Sequence, residues 1–344
     1  MFVNEVKKYV KKVLQSSPDL AIMLWGPPGV GKTSVAQEAA EELGWEYLCL
    51  QVSVYNPIDL AGLPCPDREA GVAKYLPPSF IQKAITTDKP MVLCFDEIAS
   101  APPAVQVATQ RVILERKFGE FSLSPHVRIV ATGNRASDRA ATFNMPTPLA
   151  NRFLHVLDIG CSVEDWKLWA LKHDQHPLVI SYLSYAPDSL MAFPKDPEVR
   201  AYPTPRSWSF VSKLMQSFQP QDDEFFQAVS TAIGEPAAAN FLAFAKTYTE
   251  LPDIEAILDG TNKPSVDANR ADLLYAICGA LIGGLQRKVS PDRIDNFLEY
   301  VSDKLPPEFT LLAARDAFGT GLDAQLIRSK NWSKFSKMNI SWIM

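Results

Sequence analysis

Gly26-Pro27-Pro28-Gly29-Val30-Gly31-Lys32-Thr33, standing directly after the apolar run Ala21-Ile22-Met23-Leu24-Trp25, is the stretch on which the fold turns. Glycines let a backbone curl with its N–H groups turned inward around phosphates, a lysine reaches the terminal phosphates as a point charge, and a threonine hydroxyl can ligate Mg²⁺. Thr33 and Ser34 open a segment in which Val35, Ala36, Ala39, Ala40 and Leu43 recur at helical spacing, so the positive end of a helix faces the anion. Strand, loop and helix in that order predict an α/β P-loop NTPase core with a nucleoside triphosphate as its ligand.

Two further strands supply the rest of a hydrolytic site. Met91-Val92-Leu93-Cys94-Phe95-Asp96-Glu97 reads as a buried parallel strand delivering two acids at its C-terminal edge, where open α/β sheets bind ligands. Asp96 is expected to hold Mg²⁺, directly or through water, and Glu97 to polarise the attacking water. Val127-Arg128-Ile129-Val130-Ala131-Thr132 ends in Gly133-Asn134, placing Asn134 where it can hydrogen-bond the γ-phosphate or the water. Taken singly, an acidic strand end is also a solvated one, and an Asn beside a Gly is also a turn residue.

With Leu149-Ala150-Asn151-Arg152-Phe153 added, the set resembles an AAA+ ATPase, and more narrowly the MoxR-like or dynein-related branch of the helix-2-insert clade. The resemblance implies a central parallel sheet followed by an all-helical lid, ATP with Mg²⁺ as the ligand pair, hydrolysis to ADP and phosphate, and a homo-oligomeric ring, most often a hexamer. It gives Asn134 the role of first sensor. Arg152, before a strand expected at His155–Ile159, matches the arginine finger that reaches the γ-phosphate held by the neighbouring subunit. Arg206, in Pro205-Arg206-Ser207-Trp208, matches the second sensor acting in cis. Arg152 also reads as a surface or salt-bridging arginine. Arg139, and after it Arg135, are secondary candidates for a subunit contact.

Asp59-Leu60-Ala61-Gly62 resembles the element that precedes the helix-2 insert in this family. The following Leu63–Tyr75 segment reads as a hairpin turning near Asp67–Gly71, either a partner-facing insert or an ordinary surface hairpin. Ile98 to Glu115 is expected to be helical, and Lys117–Leu123 a second hairpin. Neither hairpin carries the aromatic-hydrophobic-glycine pore loop of polypeptide-threading unfoldases, so remodelling by contact is favoured over continuous threading.

At 344 residues the chain exceeds one core, and three regions are expected: a nucleotide domain over 1–159, a helical lid over 160–258 and a helical extension over 259–344. The first opens with an amphipathic helix bearing Val3, Val6, Val10, Val13 and Leu14 on one side and Lys7, Lys8, Lys11 and Lys12 on the other. No long apolar run follows it, so it reads as a docking helix with a solvated basic face rather than a membrane anchor. Ser162 is a good N-cap for the first lid helix, and a proline-rich loop from Pro187 to Pro205 delivers Arg206. Gly283-Gly284 either breaks a helix or permits a close contact. Trp332, Phe335, Trp342 and Ile343 form an apolar tail expected to dock on its own protein. Five cysteines scattered singly fit a reducing cytosol, and His173 with His176 lacks further ligands for zinc. A net charge of −5 argues against a dedicated duplex-binding surface. The functional expectation is a remodelling chaperone whose protein client, from the resemblance, is one containing a von Willebrand factor A domain; the alternative is a nucleic-acid motor or restriction-type NTPase.

Overall fold

The computed structural model describes residues 1–138, 142–194, 196 and 198–338. Arg139, Trp342 and Ile343 therefore lie outside the described residues. The chain divides into two compact units, Met1–Cys161 and Ser162–Met344.

In the first unit, α1 (Val3–Ser16) precedes β1 (Ala21–Trp25), α2 (Lys32–Glu42) and β2 (Glu46–Gln51). There follow α3 (Pro57–Ala61), the β3–β4 hairpin (Leu63–Asp67 and Val72–Leu76), α4 (Ser79–Thr86), β5 (Met91–Asp96) and α5 (Pro103–Glu115). A small hairpin of β6 (Lys117–Phe118) and β7 (Phe121–Ser122) leads to β8 (Val127–Gly133), α6 (Thr147–Ala150) and β9 (Phe153–Val156). Five strands form one parallel sheet in the order β2-β5-β8-β1-β9. The loop strand β1 and the acidic strand β5 thus flank β8, which brings Asn134 between the loop and the acids. Burial on both faces explains the unbroken apolar runs: Ile22, Met23, Leu24, Val92, Leu93, Cys94 and Phe95 are all fully buried.

Three local expectations are corrected. The last strand is Phe153–Val156 rather than His155–Ile159, because its pairing with β1 runs from Ala21 opposite Phe153 to Leu24 opposite Val156 and goes no further. Beyond it Asp158 takes a positive φ of 55°, and Ile159 N–H returns to the Trp25 carbonyl. The helix expected from Ile98 begins at Pro103: Ile98–Ser100 is a single 3-10 turn, and Pro102 is extended because the residue before a proline avoids the helical region. The basic face of α1 is half engaged. Lys7 Nζ lies 2.7 Å from Glu38 and 2.8 Å from Glu42 of α2, and Lys11 Nζ 2.7 Å from Glu42, while Lys8 and Lys12 face solvent. Under Val6, Val10 and Leu14, all buried, these pairs dock α1 on the helix that leaves the loop.

The second unit is helical: α7 (Val163–Lys172), α8 (Pro177–Tyr185), α9 (Pro205–Leu214), α10 (Phe225–Ile233), α11 (Glu235–Thr247) and α12 (Ile254–Leu258), then α13 (Ala271–Arg287), α14 (Pro291–Lys304), α15 (Pro307–Gly319), α16 (Asp323–Arg328) and α17 (Trp332–Met338). Ser162 caps α7 by accepting from Asp165 N–H, and Thr204 caps α9 through Ser207 N–H. Tyr182, Trp208, Phe241 and Phe244 make one aromatic cluster. Helices from both sides of residue 258 share this core, since α13 packs on α8 and α15 on α7. Gly283-Gly284 does not break α13. It permits close approach: a Cβ on Gly283 would lie 2.5 Å from Pro177 Cγ, and one on Gly284 2.5 Å from Leu258 Cδ1. Trp332 stacks on Phe335, which is buried, so this part of the apolar tail docks on its own unit. No helix among the described residues is long and apolar enough to cross a membrane.

Candidate active site

The loop takes the shape its glycines permit. Gly29 and Gly31 have φ of 79° and 97°, and Gly31 is the N-cap of α2. Gly26 is required for a different reason, since a Cβ there would sit 2.9 Å from the Ile159 carbonyl oxygen. Val30 is buried and anchors the loop tip, while Pro27 and Pro28 stiffen its entry. Lys32, the first residue of α2 and itself buried, donates to the carbonyls of Gly26 and Pro27 at 2.8 Å each and to Asn134 Oδ1 at 2.7 Å. One ammonium thus joins the loop to the end of β8. Because a lysine only donates, Asn134 turns its oxygen to Lys32 and keeps its NH₂ for an acceptor.

Asp96 ends β5 and accepts from Thr33 Oγ1 at 2.7 Å. The same carboxylate oxygen accepts from Thr132 Oγ1, whose oxygen in turn accepts from Glu97 N–H at 3.1 Å. Thr132 therefore positions both acids. Glu97 stands at φ 55°, ψ 35°, a left-handed conformation costing a non-glycine residue about 1–2 kcal/mol. The turn carries its carboxylate off the strand direction, toward Gln51 Nε2 at 3.0 Å and Ser53 Oγ at 3.3 Å. Thr33 and Asp96 make a hydroxyl–carboxylate pair of hard oxygen donors, which suits Mg²⁺ completed by phosphate and water oxygens.

The arginines differ in availability. Arg152 lies in the turn between α6 and the edge strand β9, is exposed, and its guanidinium makes no hydrogen bond or ion pair with the described residues. Arg135 is engaged within its own unit, with Asp138 at 2.7 Å and with Asp158. Burial pushes the Asp138 carboxyl up, but the Arg135 guanidinium outweighs it and the net shift is downward. Arg206 is the second residue of α9 in the helical unit and is exposed.

Sequence reasoning missed Thr132, Gln51 and Ser53. Gln51 had a signal: it ends β2 in register with Asp96, at the same sheet edge that carries the acids. Of the histidines considered for zinc, His173 stacks on Trp169 and His176 caps α8, accepting from Leu178 N–H.

Residues 21–153 match the family model described as the AAA domain of the dynein-related subfamily. Over those residues the chain is similar to a dynein-related AAA domain. With the loop, the two acids and Asn134 assembled at one sheet edge, this nucleotide-binding domain is an ATPase. The Lon protease of Aquifex aeolicus (strain VF5) is 28% identical over 199 residues, covering 53% of this chain and 23% of the protease, so the match spans less than a quarter of that relative. Among solved structures, a Thermotoga maritima RuvB mutant aligns with TM-score 0.40 and 16% identity over 84% of this chain and 86% of its own. NtrX from Brucella abortus in complex with ADP aligns with TM-score 0.41 and 14% identity over 99% and 68%. Likeness this distant adds nothing to what the sheet order already establishes.

Proposed function

We propose that the protein hydrolyses ATP with Mg²⁺ at the seams of a homo-oligomeric, hexameric ring and uses the cycle to remodel or mature a protein partner, as a MoxR-like chaperone of the helix-2-insert clade. The observation that carries the seam is Arg152. An exposed guanidinium with no partner among the described residues, beside the last strand of the sheet, supports a role in an adjacent copy's site rather than its own. The hairpin between α3 and α4 supports the clade, since it interrupts the helical crossover from β2 to β5.

In this reading Lys32 leaves the Gly26 and Pro27 carbonyls for the terminal phosphates, and the Asn134 NH₂ bonds the γ-phosphate or the attacking water. Thr33 and Asp96 would hold Mg²⁺, which would supply positive charge against the phosphate oxygens. Glu97, released from Gln51 and Ser53, orients the water and takes its proton, while Arg152 of the adjacent copy meets the charge developing on the transferring group. Arg206 senses the phosphates from the lid (160–258), and the extension (259–344) packs on the lid. The partner is a protein containing a von Willebrand factor A domain, met in the cytosol.

Affinity capture of Glu97→Gln in ATP from native extract tests the partner. A protein client with no nucleic acid supports the reading; captured DNA or RNA, together with its stimulation of turnover, overturns it in favour of a nucleic-acid motor.

A further inference from the structure

Trp25, the last residue of the strand entering the loop, touches two functional regions at once. Its indole packs over Gly133, the residue before Asn134: a Cβ there would lie 3.2 Å from Trp25 Cζ3. Its Nε1–H donates to His155 Nδ1 at 2.9 Å, the rings inclined by only 18°. The other nitrogen, His155 Nε2, lies 2.8 Å from the Ala150 carbonyl oxygen, two residues before Arg152. The partners fix the tautomer. An indole N–H only donates and a carbonyl only accepts, so in this arrangement Nδ1 accepts and Nε2 donates.

We infer that His155 is a positioning residue for Arg152, and that the Trp25–His155–Ala150 link ties the arginine turn to the floor of the protomer's own nucleotide site. This rests on the seam reading of Arg152 given above. The geometry favours a functional link over packing alone, because the imidazole is exposed on an edge strand and contributes two directed bonds rather than buried volume. Asn151 and Arg152 are themselves exposed; Asn151 N–H returns to Thr147 and Arg152 N–H to Leu149, so within the turn the backbone is closed only on α6, and the His155 bond to Ala150 ties it to the sheet edge. A finger whose base drifts by about 1 Å loses much of its effect on the transition state. The same link offers a path by which nucleotide in one site adjusts the arginine offered to the next.

The test is a double-mutant cycle on the full chain, measuring ATP turnover and, separately, nucleotide affinity. His155→Phe keeps a planar ring and removes both bonds; kcat is expected to fall about five- to thirtyfold, the worth of two neutral hydrogen bonds, with nucleotide affinity unchanged. His155→Gln, which can still donate to Ala150, is expected to recover part of the loss. In an Arg152→Ala background His155→Phe should cost nothing further, whereas a general structural defect would lower turnover in both backgrounds and weaken nucleotide binding. Trp25→Phe deletes the donor from the other end and should show the same pattern, which keeps the test intact should H155F misfold. If R152A lowers turnover but H155F and W25F do not, or if their effects add to R152A, the positioning role is wrong. If R152A itself has no effect, the seam reading has failed instead.

Discussion

Thr132→Val isolates the hydroxyl on which the two acids hang. Valine keeps the β-branched shape at a strand position that is 1% exposed, so the sheet should form. The substitution removes a hydrogen bond to a charged Asp96, worth about 1.5–3 kcal/mol, and leaves Glu97 N–H without its acceptor, at about 1–3 kcal/mol. The two terms share one hydroxyl, and relaxation of the Glu97 turn recovers part of them, so a net destabilisation of about 2–4 kcal/mol is expected. Turnover suffers more specifically. Glu97 is already held in a strained backbone conformation, and without Thr132 that turn is free to relax. A base displaced by about 1 Å costs about 10–100-fold in kcat. Lys32 and the loop are untouched, so nucleotide affinity should stay within about threefold, given that most of the phosphate contacts survive. Urea unfolding, nucleotide titration and steady-state ATP turnover on T132V and Thr132→Ser separate these effects. T132S, which retains the hydroxyl, should turn over near the parent rate; a T132V protein as fast as T132S would refute the positioning of the acids by this side chain.

Arg152→Ala is expected to leave nucleotide binding nearly intact and lower kcat by about 10³-fold or more, the usual worth of an arginine finger; a change confined to KM would instead mark a binding role. His176 caps α8 through a lone pair, and desolvation, with Arg287 as the lesser cause, lowers its pKa from 6.5 to about 4. A base whose folded pKa is depressed contributes its stability fully above pH 6.5 and loses it as pH falls toward 4, here up to about 3 kcal/mol; His176→Asn, a good cap that does not titrate, should flatten that part of an acid-denaturation curve. Gly283→Ala should destabilise the helical unit by about 1–3 kcal/mol despite gaining about 1 kcal/mol of helix propensity, because the Pro177 ring cannot yield. Gly284→Ala, facing the flexible end of Leu258, should be close to neutral, and equal melting shifts for the two would contradict the contact. Lys167 and Asp316 form a buried pair at 2.5 Å; Lys167→Met alone should cost about 3–5 kcal/mol, and adding Asp316→Leu should recover most of it in a thermal melt.

The loop, the acids and Asn134 were legible because each is an apolar strand closed by polar residues, and a parallel sheet gathers strand ends at one edge. Their order along the chain was enough to group them. Glu97's left-handed turn was not legible, since nothing in Phe95-Asp96-Glu97-Ile98 asks for a positive φ. The end of the last strand slipped by three residues because Phe153 to Ile159 is apolar almost throughout and only the pairing with Ala21–Leu24 marks where it stops. The Trp25–His155 bond joins residues 130 apart and depends on strand register, which composition does not reveal. Gly283 needed Pro177, more than a hundred residues earlier, before its role could be chosen. Arg152 was found through resemblance; its exposure, and its lack of a partner among the described residues, came from the structure.

Mixing Glu97→Gln with Arg152→Ala tests the shared site most directly. Each variant alone should be nearly inactive, one lacking the base and the other the finger. Co-assembled at equal amounts, about a quarter of the seams would pair an intact base with an intact arginine, and ATP turnover should rise to that order of the parent rate. A mixture, shown by sizing to have exchanged subunits, that turns over no faster than the average of its two components would contradict a site built from neighbouring copies.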